Sequence, residues 1–266
     1  MLALSPNSRE KRHMIREAFS KALRATGLSK EEFAYKVLPV FLLDLIDRYL
    51  RVESEGLENI PNEGSYILVG NHSGYMGLDA MMLGHQVYRY KKQIPHIIAH
   101  KLWFLVPEIS VHATKLGLVP ATFDNGLKLL EEGKGLILFP EGEEGNFKPT
   151  RYRYRLRRFR RGFVRLALRT GAPIIPSIII GAEETHITLS QIRWFKHLFG
   201  VLIPVPLNVI PLPAKWNIKF LKPIIIKKNP EKAEDLQYVT KLSREIRKKL
   251  QEALHKELKK RKTVFL

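Results

Sequence analysis

Two side chains within the stretch Tyr66–Asp79, YILVGNHSGYMGLD, could carry out proton transfer. Histidine titrates at about 6.5 in model peptides, which suits a general base near neutral pH. Asp79 follows His72 by seven residues and could turn back to hold the imidazole in one tautomer. A plainer account is also open, with His72 satisfied by backbone groups and Asp79 serving as the N-cap of a helix. Ahead of the pair, Tyr66–Gly70 is β-branched and aliphatic, the pattern of a buried strand. Behind it, the spacing of Ala80, Met81, Leu83 and Val87 is helical. A polar loop on the carboxyl end of a buried strand is where α/β enzymes place their chemistry.

The same rhythm recurs along the chain. IPHIIAH leads into Lys101, GLILF into Pro140-Glu141-Gly142, and APIIPSIII into Gly181, with helical stretches near 79–90, 122–132 and 158–170 between them. Thr122 or Asp124 can cap the second helix, Gly133 can end it, and Gly171 can end the third. The expected fold class is α/β: a single mixed, partly parallel sheet flanked by helices, with N-terminal and C-terminal amphipathic helices. Parallel strands would bring His72, Lys101 and Glu141 to one edge.

Three segments are expected: a basic and amphipathic helical segment over 1–55, an α/β domain over 56–230, and a basic amphipathic helix over 231–266. In the first, Phe33, Val37, Phe41, Leu42, Leu45 and Tyr49 recur at helical spacing, Pro39 should kink or delay the helix, and Asp44 and Asp47 argue against a membrane span. That helix either docks on the core or lies on a surface. In the last, Leu236, Val239, Leu242, Ile246, Leu250, Leu254 and Leu258 form one stripe.

With 266 residues and a formal charge of +19, the chain should seek polyanions: nucleic acid, an anionic membrane surface or phosphorylated substrates. It has no cysteine, which excludes disulfides and thiolate nucleophiles. His96, His100 and His112 are scattered without ligand spacing, so no metal is expected. The polar, basic amino terminus has no apolar core of a secretory signal. Residues 151–169 hold nine arginines and no acid, and could offer guanidinium forks to phosphate at the same edge. Residues 194–216 are almost wholly apolar inside, with Pro204, Pro206, Pro211 and Pro213, so a continuous transmembrane helix is excluded there. Two readings stay open: a buried extended segment, or an apolar loop dipping into one leaflet with Trp194, Phe195, Leu202 and Trp216 as membrane contacts.

NHSG…D, FPEG and GAPIIPS, in that order, resemble the glycerolipid acyltransferase family, typified by lysophosphatidate acyltransferases, across about residues 56–225. The resemblance implies transfer of a fatty acyl group from acyl-CoA or acyl-carrier protein to a lysophospholipid hydroxyl. No cofactor beyond the donor is implied. His72 matches the family's general base and Asp79 its orienting carboxylate. Asn71, Ser73, Lys101, Glu141 and Gly142 fall among the implied substrate contacts. The thioester is already activated, so direct attack needs no enzyme nucleophile.

Implied partners are the lysophospholipid, the acyl thioester and an anionic membrane surface rather than nucleic acid. The implied location is the cytoplasmic face of a membrane, peripheral or monotopic. Two departures stand out. The usual His-x4-Asp has lengthened, since position 77 is glycine and the aspartate comes two residues later. The usual FPEGTR has become FPEGEE, with Glu144 at the arginine position, and GLVPATFDNG also lacks its arginine. Either Lys148, Arg151 and Arg153 substitute, or the acceptor is not a simple glycerol phosphate: diacylglycerol, a long-chain alcohol or an amino-lipid. A catalytically degenerate lipid- or nucleic-acid-binding protein is the non-enzyme alternative.

Overall fold

A computed structural model describes residues 25–73, 77–199 and 202–265, with His13, Glu17, Ser20, Lys21 and Leu23; side chains at 197–199 fall outside the description. The first twelve residues of the segment expected over 1–55, several more up to 24, and loop residues 74–76 therefore lie outside the described residues. The chain divides into two compact units, 1–45 and 46–266. In the first, a capping box at Ser29, in which its hydroxyl accepts from Glu32 N and the Glu32 carboxylate accepts from Ser29 N, opens the helical stretch. A π-helical turn at Phe33–Val37 leads into α1, Leu38–Leu50. Pro39 falls in the first turn of α1, so its missing N–H is accommodated by a wide turn before it rather than by a break.

The second unit is built on a sheet of seven strands. In chain order they are β1 (Glu53–Glu55), β2 (Tyr66–Gly70), β3 (His96–Ala99), β4 (Leu118–Pro120), β5 (Gly135–Leu138), β6 (Ile174–Ile180) and, after a separate hairpin, β9 (Asn217–Phe220). The hairpin pairs β7 (Thr188–Ile192) with β8 (Ile203–Pro206) antiparallel. The order across the sheet is β1-β9-β6-β2-β5-β3-β4, and only the β6–β9 pair is antiparallel. It is thus the mixed, largely parallel sheet that the alternating strand and helix patterns predict. The strands are short apolar runs because β2 and β6 are buried along their whole length.

Helices cover the sheet: α2 (Leu78–Lys91), α3 (Pro107–Lys115), α4 (Phe123–Glu131), α5 (Glu143–Asn146), α6 (Gly162–Thr170), α7 (Ala182–Thr185), α8 (Trp194–Phe199) and α9 (Leu236–Lys260). Thr122 caps α4 through Asn125 N, and Gly171, at φ 81°, ends α6. The main core joins Phe163, Val164 and Ala167 of α6 to Ile67, Leu136 and Ile174 of the sheet, and to Val239, Ile246, Leu250 and Leu254 of α9. The predicted stripe of α9 therefore docks, except Leu236, which is exposed. No helix among the described residues is long and apolar enough to cross a membrane.

The apolar stretch 194–216 is buried in part and exposed in part. Trp216 and Leu202, expected at a lipid surface, are each 1% exposed, which corrects their assignment as membrane contacts. Trp216 is held inside because its indole N–H donates to Thr185 Oγ1 at 2.7 Å, and Leu202 because its N–H donates to Glu143 at 3.0 Å. Trp194 stays exposed, its ring against Phe195, as do Leu207, Val209 and Ile210 beyond β8.

Candidate active site

β2 runs parallel between β5 and β6, with Gly70 opposite Ser177 and Val69 opposite Leu138. His72 thus emerges two residues past the end of a central strand. Asn71 fixes that exit. Its side-chain amide donates to Ile179 O at 2.9 Å while its oxygen accepts from Ile179 N at 2.8 Å. The side chain acts as one more rung between β2 and β6 and is fully buried, so it is not the substrate contact the sequence suggested. Gly70 has no Cβ because one would lie 2.9 Å from the Phe139 ring. That ring in turn stacks on His72, with centroids 4.2 Å apart and planes 14° from parallel.

Asp79 lies in the first turn of α2, after a left-handed Gly77. Gly77 occupies the N-cap position, so capping does not account for Asp79. Its carboxylate is fully buried and accepts from Ser73 N at 2.7 Å and Ala80 N at 2.8 Å. His72 Nδ1 stands 2.6 Å from Asp79 Oδ2. A carboxylate already receiving backbone N–H bonds at a helix N-terminus is an acceptor, so Nδ1 is the donor in this bond, and it is Nε2 that would hold the lone pair of the neutral ring. The imidazole is 14% exposed, leaving a substrate a way in. Ser73 is buried, and contributes its backbone N–H rather than an exposed hydroxyl.

Glu141 meets this loop from the end of β5. Its Oε1 accepts from His72 N at 3.1 Å and its Oε2 from Arg157 N. Glu141 is 1% exposed and Lys148 4%, so both expectations of direct acceptor contact are corrected. Lys148 Nζ lies 2.9 Å from Glu183 and 3.9 Å from Glu141, an ionic cluster beneath the histidine. Burial acts to lower the Lys148 pKa, but the two carboxylates outweigh it and hold the value above normal. Burial pushes the Glu183 carboxyl up to about 7, against the pull of Lys148.

Gly142 adopts φ 58° and ψ −149°, a region reserved for glycine, and Arg160 lies against it. Gly145 seats Glu141, because a Cβ there would fall 2.4 Å from the Glu141 Cβ. At the altered FPEGEE motif, Glu144 pairs with Lys196 at 2.7 Å, and Glu143 with the same lysine at 3.0 Å. The charge-reversed position thus tethers α8. Lys101 is exposed past β3, on the same sheet edge but two strands from His72. Arg151 and Arg153 are exposed and line a separate cleft rather than the dyad. Sequence reasoning missed Phe139, Gly145, Arg157, Glu183 and Lys196. The GAEE run after β6 was a faint sign of Glu183; Phe139 stood in the FPEG motif and Arg157 in the arginine run, but neither was given a role, and Gly145 and Lys196 had no distinguishing signal.

The structure therefore holds a histidine, braced by a buried carboxylate, just past the carboxyl end of a central strand in a mostly parallel sheet. Residues 51–180 match the family model described as Acyltransferase. An uncharacterised protein of Mycobacterium leprae is 32% identical over 98% of this chain and 77% of its own length. Another, of Mycobacterium tuberculosis, is 36% identical over 82% of this chain, and the match spans only 64% of that relative's length. The 1-acyl-sn-glycerol-3-phosphate acyltransferase of Borreliella burgdorferi is 26% identical over 52% of this chain and 54% of its own. The crystal structure of the 1-acyl-sn-glycerophosphate acyltransferase of Thermotoga maritima shares the fold, with a TM-score of 0.55 and 21% identity over 91% of this chain and 88% of that one. This chain belongs to the glycerolipid acyltransferase family, a family of acyl-transferring enzymes.

Proposed function

We propose that this chain is a membrane-associated acyltransferase that moves a fatty acyl group from an acyl-CoA or acyl-carrier-protein thioester to a lysophospholipid hydroxyl. The observation that carries the reading is the 2.6 Å contact between His72 Nδ1 and buried Asp79, which leaves Nε2 free to act as base. In the reaction, Nε2 takes the proton of the acceptor hydroxyl as its oxygen attacks the thioester carbonyl. The tetrahedral intermediate collapses, the carbon–sulfur bond breaks, and the imidazolium returns the proton to the departing thiolate. Asp79 stabilises the imidazolium throughout. Glu141 holds the His72 main chain, so the dyad is placed before substrate arrives.

A different acceptor is the second reading, favoured by one observation. Glu144 stands where the family's phosphate-binding arginine would be, and it is paired with Lys196. Diacylglycerol, a long-chain alcohol or an amino-lipid would need no arginine there. Membrane association at a cytoplasmic face is supported by the +19 charge and by exposed Trp103, Leu105 and Val106 after β3.

The test is mass spectrometry of products, with both donor types and a panel of lysolipid and neutral acceptors. Wild type should form product, His72→Ala none, and Asp79→Asn roughly a ten-thousandth as much, the size of drop seen when a catalytic histidine loses its orienting carboxylate. Activity retained by folded His72→Ala would rule out this base. A wholly inactive wild type would favour a degenerate lipid- or nucleic-acid-binding protein.

A further inference from the structure

One strand over from His72, past the carboxyl end of β6, lies a second concavity of about 520 Å³. Residues 151–155 form one wall, and the end of α9 with the segment after it forms the other. Tyr154 makes the floor. Its backbone adopts φ 61°, costly for an aromatic residue, and its side chain is buried. The phenol accepts from Gly181 N at 2.9 Å and donates to Glu184. Arg261 completes the base, bonding Glu184 at 2.8 Å and Lys215 O at 3.2 Å. The segment after α9 is strapped down where Lys215 N donates to Val264 O at 2.9 Å.

Charge is balanced at this floor and unbalanced above it. Glu184, the carboxylate of the lining, is already neutralised by Arg261. Arg151, Arg153, Arg155 and Lys262 also line the cleft, and among the described residues none of them pairs with a carboxylate. Three guanidinium forks and an ammonium thus line one cleft without counter-charge, and an anion entering it would relieve what repulsion solvent leaves unscreened. The forks match phosphate oxygens in geometry as well as sign. The cleft is also separate from the proton-transfer dyad. On α7, Glu183 turns to the buried Lys148 while its neighbour Glu184 turns to the cleft.

We propose that this cleft binds a phosphate-bearing ligand, either a free molecule or the headgroup of a lipid presented by a bilayer. The proposal stands on binding alone and does not depend on acyl transfer.

The test uses the full chain and two probes: inorganic pyrophosphate by titration calorimetry, and sedimentation with phosphatidylcholine vesicles with or without phosphatidate. Arg153→Gln/Arg155→Gln should lose about tenfold or more in affinity for at least one phosphate probe, as expected for loss of charge-assisted bonds. Lys248→Gln/Lys249→Gln, at exposed positions of α9, should bind as wild type does. Loss confined to pyrophosphate identifies a free ligand, loss confined to phosphatidate vesicles a headgroup, and loss of both the shared chemistry. If the double cleft variant does not fold, Lys262→Gln replaces it. The proposal is overturned if wild type binds neither probe saturably, if the cleft variant binds unchanged, or if the α9 control loses as much.

Discussion

Burial makes Glu183 hold its proton to higher pH than an exposed carboxyl would, an effect that Lys148, shared with Glu141, only partly offsets. Its value of about 7 lies above the ordinary 4.5. Between those two values the native state binds a proton that the unfolded chain has lost. The resulting stability is complete below the unfolded value and disappears as pH rises through about 7. At about 1.4 kcal/mol per pH unit across that window, the effect is on the order of 3 kcal/mol. Urea unfolding at pH 5 and pH 8 should therefore show wild type losing stability relative to Glu183→Gln; parallel curves would contradict the assignment. At this scale the sequence was informative where partners are close along the chain. His72 and Asp79 were visible as a pair because a seven-residue loop can close on itself. Lys148 was misread because nothing local distinguishes a solvated lysine from one buried between two distant glutamates.

The elements were legible in proportion to how apolar and uninterrupted they are. Runs such as YILVG and IIPSIII read as buried strands because they are short, rich in β-branched residues and bounded by turn residues, and β2 and β6 are fully buried. The reversed direction of β9 and the β7–β8 hairpin were not visible, since strand direction is decided by long-range pairing. The fate of the 194–216 stretch was equally hidden: its tryptophans look alike in sequence, and only Thr185 distinguishes the buried Trp216. The junction of β5 with α5 yields a prediction that belongs to this scale. Gly145→Ala would drive a methyl group into the Glu141 side chain, 2.4 Å from its Cβ. Overpacking of this kind costs about 1–3 kcal/mol. The strain should also shift Glu141 from His72 N, so kcat should fall further than the melting temperature alone explains. A variant with a lowered melting temperature and wild-type kcat would show that Glu141 does not position the histidine.

Across the whole molecule, positive charge and exposed apolar side chains act over different ranges. Coulomb attraction is screened within about 8 Å at physiological salt, whereas buried apolar contact is not. Leu105 is 64% exposed and Trp103 45%, on the same side of β3 that faces the chemistry. In vesicle sedimentation, rising salt should weaken binding to anionic bilayers without abolishing it, and Trp103→Glu/Leu105→Glu should remove the salt-resistant part. Residual binding unchanged in that variant would assign the contact to another surface. The sheet has one further property at this scale. Its outermost strands, β1 and β4, are three residues each; β1 reads Glu-Ser-Glu and β4 closes on a proline. Neither offers a row of free backbone groups long enough to template another chain. If the proposed membrane association holds, molecules gathered on a bilayer would meet at high local concentration, where longer open margins would favour edge-to-edge pairing. Such blunt margins would keep neighbours from adding strand to strand, so crowding would not turn into fibre growth.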